Sequence, residues 1–254
     1  MTTIDKKLPR KQIGNYQGID VDVVYHNAVG VPADTLCIDL PEKRSMLSTR
    51  HGYKVTDVIC NCHVPKTLWD YMHDESRCWQ ETYGQIIKEV LEEHGTTIED
   101  IAFLSTGLNQ EKLAIAEEVY EEFWVLAITT AGVKTNAMRV GVDKATGIER
   151  NGKFEKIGTI NNIVLTNAIL EPPALASSFI TITEAKNVAL QELDIRSAYD
   201  PTRLATGTGT DQIITVSGLE YKYTYVGGHT KLGEMMAVAV TRSTVNAIRN
   251  ARGY

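Results

Sequence analysis

The run Phe123-Trp-Val-Leu-Ala-Ile-Thr-Thr130 restricts the fold most: it is uncharged throughout and lacks the alternation of a half-solvated strand. A strand of this kind is covered on both faces, so the chain must place further layers around a sheet. Ala131-Gly132 breaks the run. The segments that follow supply the layers. Gly158-Thr-Ile-Asn-Asn-Ile-Val-Leu-Thr-Asn167 reads as another strand. Glu171-Pro-Pro173 opens a helix through Leu193, with Leu175, Ile182, Ala185, Ala189 and Leu193 on its buried face. Residues 211–217 and 221–225 read as strands joined at Ser217-Gly218, in an antiparallel hairpin. His229 to Arg249 forms a final helix striped by Leu232, Met235, Met236, Ala239 and Val240.

The first half has the same interleaving. Short strands are expected at 19–25 and 35–39, parted by a Gly30/Pro32 turn, and a further strand from Tyr53 to Val64, closed by Pro65. Glu81 to Glu93 carries Ile86, Ile87, Val90 and Leu91 at helical spacing, and Gly95 ends that helix. Ile101 to Ser105 is a strand, after which Asn109 caps a helix with Leu113, Ala116 and Tyr120 inward. The Glu92/Glu93, Glu117/Glu118 and Glu121/Glu122 pairs then lie on solvated helix faces. Residues 1–17 are polar and are expected to form a flexible N-terminal arm. With no linker or repeat, residues 18–254 read as a single domain. Its class is α/β or α+β: a single layered domain, a mixed β-sheet with flanking helices.

Composition narrows the function. The net charge of −6, spread among mixed signs, disfavours nucleic acid, whose binding requires a basic surface. No 18-residue apolar run exists to span a membrane, and the polar start lacks a secretory h-region, so the cytoplasm is expected. Cys37 lies in an apolar run and reads as a small buried hydrophobe. Cys60-Asn-Cys-His63, with His73 and Cys78 nearby, could ligate a metal, but its spacing is not Cys-x2-Cys and the structural reading is preferred.

Two loops carry the chemistry. Thr206-Gly-Thr-Gly-Thr-Asp211 sets Gly207 and Gly209, whose backbones admit close approach, among the hydroxyls of Thr206, Thr208 and Thr210, with an acid at a strand edge. It is no Walker loop, because no Gly-Lys-Ser/Thr follows and a strand succeeds it. Gly227-Gly228-His229-Thr-Lys-Leu-Gly-Glu234 is a strand-to-helix turn in which Thr230 can cap the helix and His229 can serve as acid or base. Glu184, within an apolar-striped helix, can lie near the buried face, where it would need a partner, or be a solvated helix carboxylate, the preferred reading taken alone. Asn136 and Asn161 can hydrogen-bond a ligand amide or satisfy the backbone.

Taken in order, Ser105-Thr-Gly-Leu108, Thr129-Thr-Ala-Gly132, Asn136-Ala-Met-Arg139, Gly158-Thr-Ile-Asn161, Ile180-Thr-Ile-Thr-Glu-Ala-Lys186, Ala205 to Asp211 and Gly228-His229 with Gly233 resemble the adenosylcobinamide amidohydrolase (CbiZ) family. The departures are Leu47-Ser-Thr-Arg-His-Gly-Tyr53, where family members tend to carry a Gly-Gly pair, and Cys60-Asn-Cys-His63. The resemblance implies cleavage of the amide between a corrin propionyl side chain and aminopropanol, in cobamide salvage. Under it, Glu184 or Asp211 would be the general base and His229 its acid or base partner. Thr206, Gly207, Thr208, Gly209, Thr210, Asn136, Asn161 and Gly228 would bind substrate. No cofactor is expected, with a divalent metal on His229, Asp211 and Glu184 left open. The expected partner is a corrinoid small molecule, without nucleic acid or membrane, and homo-oligomer formation is left open. A non-catalytic corrinoid or tetrapyrrole-binding or chaperone protein is the alternative, as is an amidohydrolase of another cofactor conjugate.

Overall fold

The computed structural model describes residues 7–72, 79–145 and 159–253. His73, Cys78 and the Gly158 start of the expected strand lie outside them. The chain forms two compact units: residues 1–43, 55–105 and 109–111, and residues 44–54, 106–108 and 112–254.

Unit 1 is built on strands β1 (Arg10–Tyr16), β2 (Ile19–Ala28), β3 (Val31–Ser48), β4 (Gly52–His63) and β5 (Ala102–Thr106), with helices α1 (Lys66–Met72), α2 (Trp79–Ile86) and α3 (Lys88–His94). The far ends of β3, β4 and β5 belong to unit 2. β1 and β3 both pair antiparallel with β2, while β4 pairs with β3 and β5. The β2–β3 turn is tight: Val29 and Gly30 both take positive φ, 52° and 86°, as a two-residue hairpin turn of the right twist demands. Arg10–Tyr16 is therefore a strand where an arm over 1–17 was expected, and residues 1–6 of that span lie outside the described residues. Its polar, basic sequence suits an edge strand, where charge discourages pairing with other chains. Gly95, in the left-handed conformation at φ 59°, closes α3 as expected.

Unit 2 adds β6 (Ala114–Tyr120), β7 (Phe123–Ala131), β8 (Ala137–Met138), β9 (Ile160–Thr166), β10 (Ala168–Leu170), β11 (Gly207–Thr208), β12 (Gln212–Val216) and β13 (Glu220–Tyr223), with α4 (Pro172–Glu192) and α5 (Lys231–Arg252). Its main strand order is β3-β12-β9-β7-β6, mixed because β12 runs parallel to β9 and antiparallel to β3. All seven residues of β9 are buried, as are the last eight of β7. The reading of Phe123 to Thr130 as a central strand thus holds. Val125, Ala127 and Val164 pack with Leu175, Ile182, Ala185, Leu232, Met236 and Val240 of the two helices. Each buried Val, Leu, Ile or Met side chain among these contributes about 1.5–3 kcal/mol over its exposed form.

Two expectations fail here. Residues 110–112 form a single 3-10 turn and 114–120 a strand, not a capped helix. Ala114 and Ala116 share the inward face at strand period, and pairing with β7 decides between the two periodicities. Nor do residues 211–225 make a hairpin, since β13 pairs with β10. A Cβ on Gly218 would lie 1.9 Å from the Asn167 backbone. Gly218 donates to Ala168 O, and the amides of Leu219 and Glu220 to Asn167 O. This approach diverts the chain from β12 to β10.

Candidate functional site

One end of the unit 2 sheet is polar. Across β7, β9 and β12, Thr130 faces Asn161 and Asn161 faces Gln212. Beyond that row the 206–211 loop folds back on itself around Asp211. Lys186 Nζ donates to Asp211 Oδ2 at 2.5 Å and the Thr208 amide to the same oxygen at 3.0 Å. Oδ1 accepts from Thr208 Oγ1 at 2.5 Å and from the Ile160 amide at 3.1 Å. Four donors converge on this one carboxylate and commit its lone pairs to the fold. Asp211 therefore ties the loop, the start of β9 and α4 together.

The glycines are explained by this knot. A Cβ on Gly207 would stand 2.4 Å from Asp211 Oδ2 and 3.0 Å from Lys186 Nζ. One on Gly209 would press on the Asn136 amide at 3.1 Å. Gly207 and Thr208 pair with Met138 and Ala137, which brings Asn136, 2% exposed, beneath the loop. Thr206 Oγ1 accepts from the Val140 amide, and Tyr199 OH donates to Asn136 Oδ1 at 3.4 Å. Thr159 Oγ1 donates to Thr210 O at 2.6 Å and lies 3.1 Å from Asn161 Oδ1. Gly209 and Thr210 at the tip remain exposed. The structure thus gathers Thr206, Gly207, Thr208, Gly209, Thr210, Asp211, Asn136 and Asn161.

His229 and Gly228 are elsewhere. Ser178 bonds Thr215 near the end of β12, and the Thr181 hydroxyl reaches Val226 O, whereas Lys186 reaches Asp211 at the strand's start. At about 3.3 Å per residue, the length of β12 puts the two loops on the order of 15 Å apart. His229 is exposed, and its ring is 5.5 Å from that of Tyr225 with no hydrogen bond among the described residues. Thr230 caps α5 as expected, accepting from the Gly233 amide at 3.1 Å. Gly233 is required because its Cβ would fall 2.2 Å from Gly227 O.

Glu184 is exposed, the solvated one of its two readings. At 100° per residue it is turned away from Ile182 and Ala189, whereas Lys186 falls on their side and is 6% exposed. Lys186 was the residue to notice: a lysine on an apolar helical stripe needs a carboxylate, and Asp211 supplies it. Among the described residues no group of three His, Cys, Asp or Glu side chains is placed to hold a metal ion. Cys37, Cys60 and Cys62 are buried in unit 1. No described helix is long and apolar enough to cross a membrane.

The model of the adenosylcobinamide amidohydrolase family matches residues 20–254. The chain is 46% identical over 225 residues to the uncharacterized protein MJ1613 of Methanocaldococcus jannaschii, covering 84% of this chain and 85% of that one. It is 29% identical over 202 residues to an adenosylcobinamide amidohydrolase of Methanosarcina mazei, covering 75% and 82%. The crystal structure of the PH0078 protein from Pyrococcus horikoshii OT3 aligns with a TM-score of 0.47 at 16% identity, covering 98% of this chain and 89% of that one. The family match extends over both units and includes every segment of the knot, and the chain belongs to the adenosylcobinamide amidohydrolase (CbiZ) family.

Proposed function

We propose that the chain hydrolyses the amide joining the corrin propionyl side chain to aminopropanol in adenosylcobinamide, releasing adenosylcobyric acid and the amino alcohol. Family membership over residues 20–254 supports the reaction class. The observation that carries the reading is the 206–211 loop, tied down by the buried Lys186–Asp211 pair with Gly209 and Thr210 exposed above Asn136. A rigid loop edged with hydroxyls and backbone amides suits a ligand whose rim bears many carboxamides.

Asp211 serves as anchor in this reading, because its lone pairs are committed. Glu184 is held away on the exposed side of α4. Of the three acid–base candidates from the sequence, His229 is the one with ring nitrogens uncommitted among the described residues.

Incubating the purified protein with adenosylcobinamide and separating products by mass should yield adenosylcobyric acid. Tight binding without turnover would instead favour a corrinoid-binding protein, and neither binding nor turnover would remove the corrinoid.

A further inference from the structure

Unit 1 holds a polar centre that the reaction as proposed leaves unused. His63 ends β4, which pairs with both β3 and β5. β3 carries Asp34, and the 3-10 turn Gln110–Lys112 begins with Gln110. His63 Nδ1 lies 2.8 Å from Asp34 Oδ2, and the Gln110 backbone amide donates to Asp34 Oδ1 at 2.5 Å. A carboxylate oxygen accepts, so Nδ1–H donates to Asp34 Oδ2 and Nε2 is the ring nitrogen left for chemistry. Nε2 has no hydrogen-bond partner among the described residues, and the side chain is 17% exposed, enough for water to reach it.

The other described histidines of unit 1 lack this combination. His94 faces Val90 O with one nitrogen and Asp39 with the other. His26 bonds Thr35 through Nε2, and its Nδ1 is buried without a partner among the described residues. In the turn that donates to Asp34, Asn109 Oδ1 and both polar side-chain atoms of Gln110 are buried and unsatisfied among the described residues. Gln110 is fully buried. Such groups are ordinarily satisfied by water or a ligand, and these belong to the turn whose Gln110 amide holds Asp34.

We infer that His63, positioned by Asp34, transfers the proton in amide hydrolysis, which rests on the reaction proposed above. His63 Nε2 takes a proton from water while the water oxygen bonds to the amide carbon and the carbonyl pair moves onto oxygen. The imidazolium, stabilised by Asp34, then returns that proton to the amine nitrogen as the C–N bond breaks. The carboxylic acid and the amine leave, and the ring is neutral again. The substrate class is a carboxamide, and water is the sole co-reactant.

The test compares the wild-type chain with H63A, H63Q, D34N and D34E, using adenosylcobinamide and measuring kcat and KM alongside thermal melting. H63A should lower kcat by about 10²–10⁴-fold, and added imidazole should restore part of it. H63Q can still donate to Asp34, so it serves if H63A fails to fold. D34N should lower kcat with KM unchanged, and D34E should recover part of the loss. An active wild type beside folded H63A or H63Q with kcat within about twofold of it would overturn the dyad alone. An inactive wild type would overturn the hydrolase reading, and the dyad's role with it.

Discussion

The two ends of β12 present opposite solutions to placing a polar group on a sheet. At its start, Asp211 is met by four donors and Lys186 is 6% exposed. Beyond its end, His229 stands in solvent against one tyrosine ring. A saturated group builds structure but has little freedom to move a proton. An open group has that freedom, but no hydrogen bond among the described residues fixes the direction of His229. In unit 1 the same contrast separates His94, committed at both nitrogens, from His63, committed at one.

The most severe break of this contrast is D211A. It strands Lys186 as an uncompensated buried cation and should cost about 3–5 kcal/mol, measured by denaturant unfolding. A loss under about 1 kcal/mol would mean that the knot is not structural.

The saturated histidine should show itself in pH dependence. Asp39 at Nε2, against the opposing effect of burial, raises the His94 pKa from 6.5 to about 9. A raised pKa stabilises the folded state fully below the unfolded value and loses that contribution as pH rises through the folded one. Stability should therefore fall between about pH 6.5 and pH 9, by on the order of 1–3 kcal/mol once screening at the part-exposed Asp39 is allowed for. D39N should flatten the curve, and an equal slope in D39N would assign the effect elsewhere.

T230A removes the α5 cap and should cost about 1 kcal/mol, visible as a lower urea midpoint. The smallest effect belongs to H229A, which should stay within about 0.5 kcal/mol of wild type because the ring is exposed and unbonded. A larger loss would show that the Tyr225 contact is structural.

Much of the fold was legible wherever one face of an element is apolar over its whole length. β7, β9, α4 and α5 all carry such signals, as does the glycine that closes α3. Residues 113–120 were ambiguous because Leu113, Ala116 and Tyr120 fit a helix while Ala114 and Ala116 fit a strand, and only the partner β7 resolves it. The course of the chain after Ser217 depends on a backbone fifty residues away, which a Ser-Gly pair does not announce. At the site, composition revealed the 206–211 loop. Helical phase could have exchanged Glu184 for Lys186. Asp34 and His63 are joined by adjacent strands rather than by a motif, so no local pattern pairs them.

The position of β12 has a consequence for how the protein is made. It lies between the 46–48 end of β3 and β9, partners far away along the chain, and α5 follows it in sequence. On the ribosome, β7 and β9 emerge before β12 and before α5 that packs with them. Until then an edge of β9 and a broad apolar face are open to neighbours. Closure by such distant contacts is slow, and strands waiting this way are prone to aggregate. The vulnerable period of unit 2 is therefore the time between the synthesis of β9 and that of β12 and α5, when chaperone cover matters most.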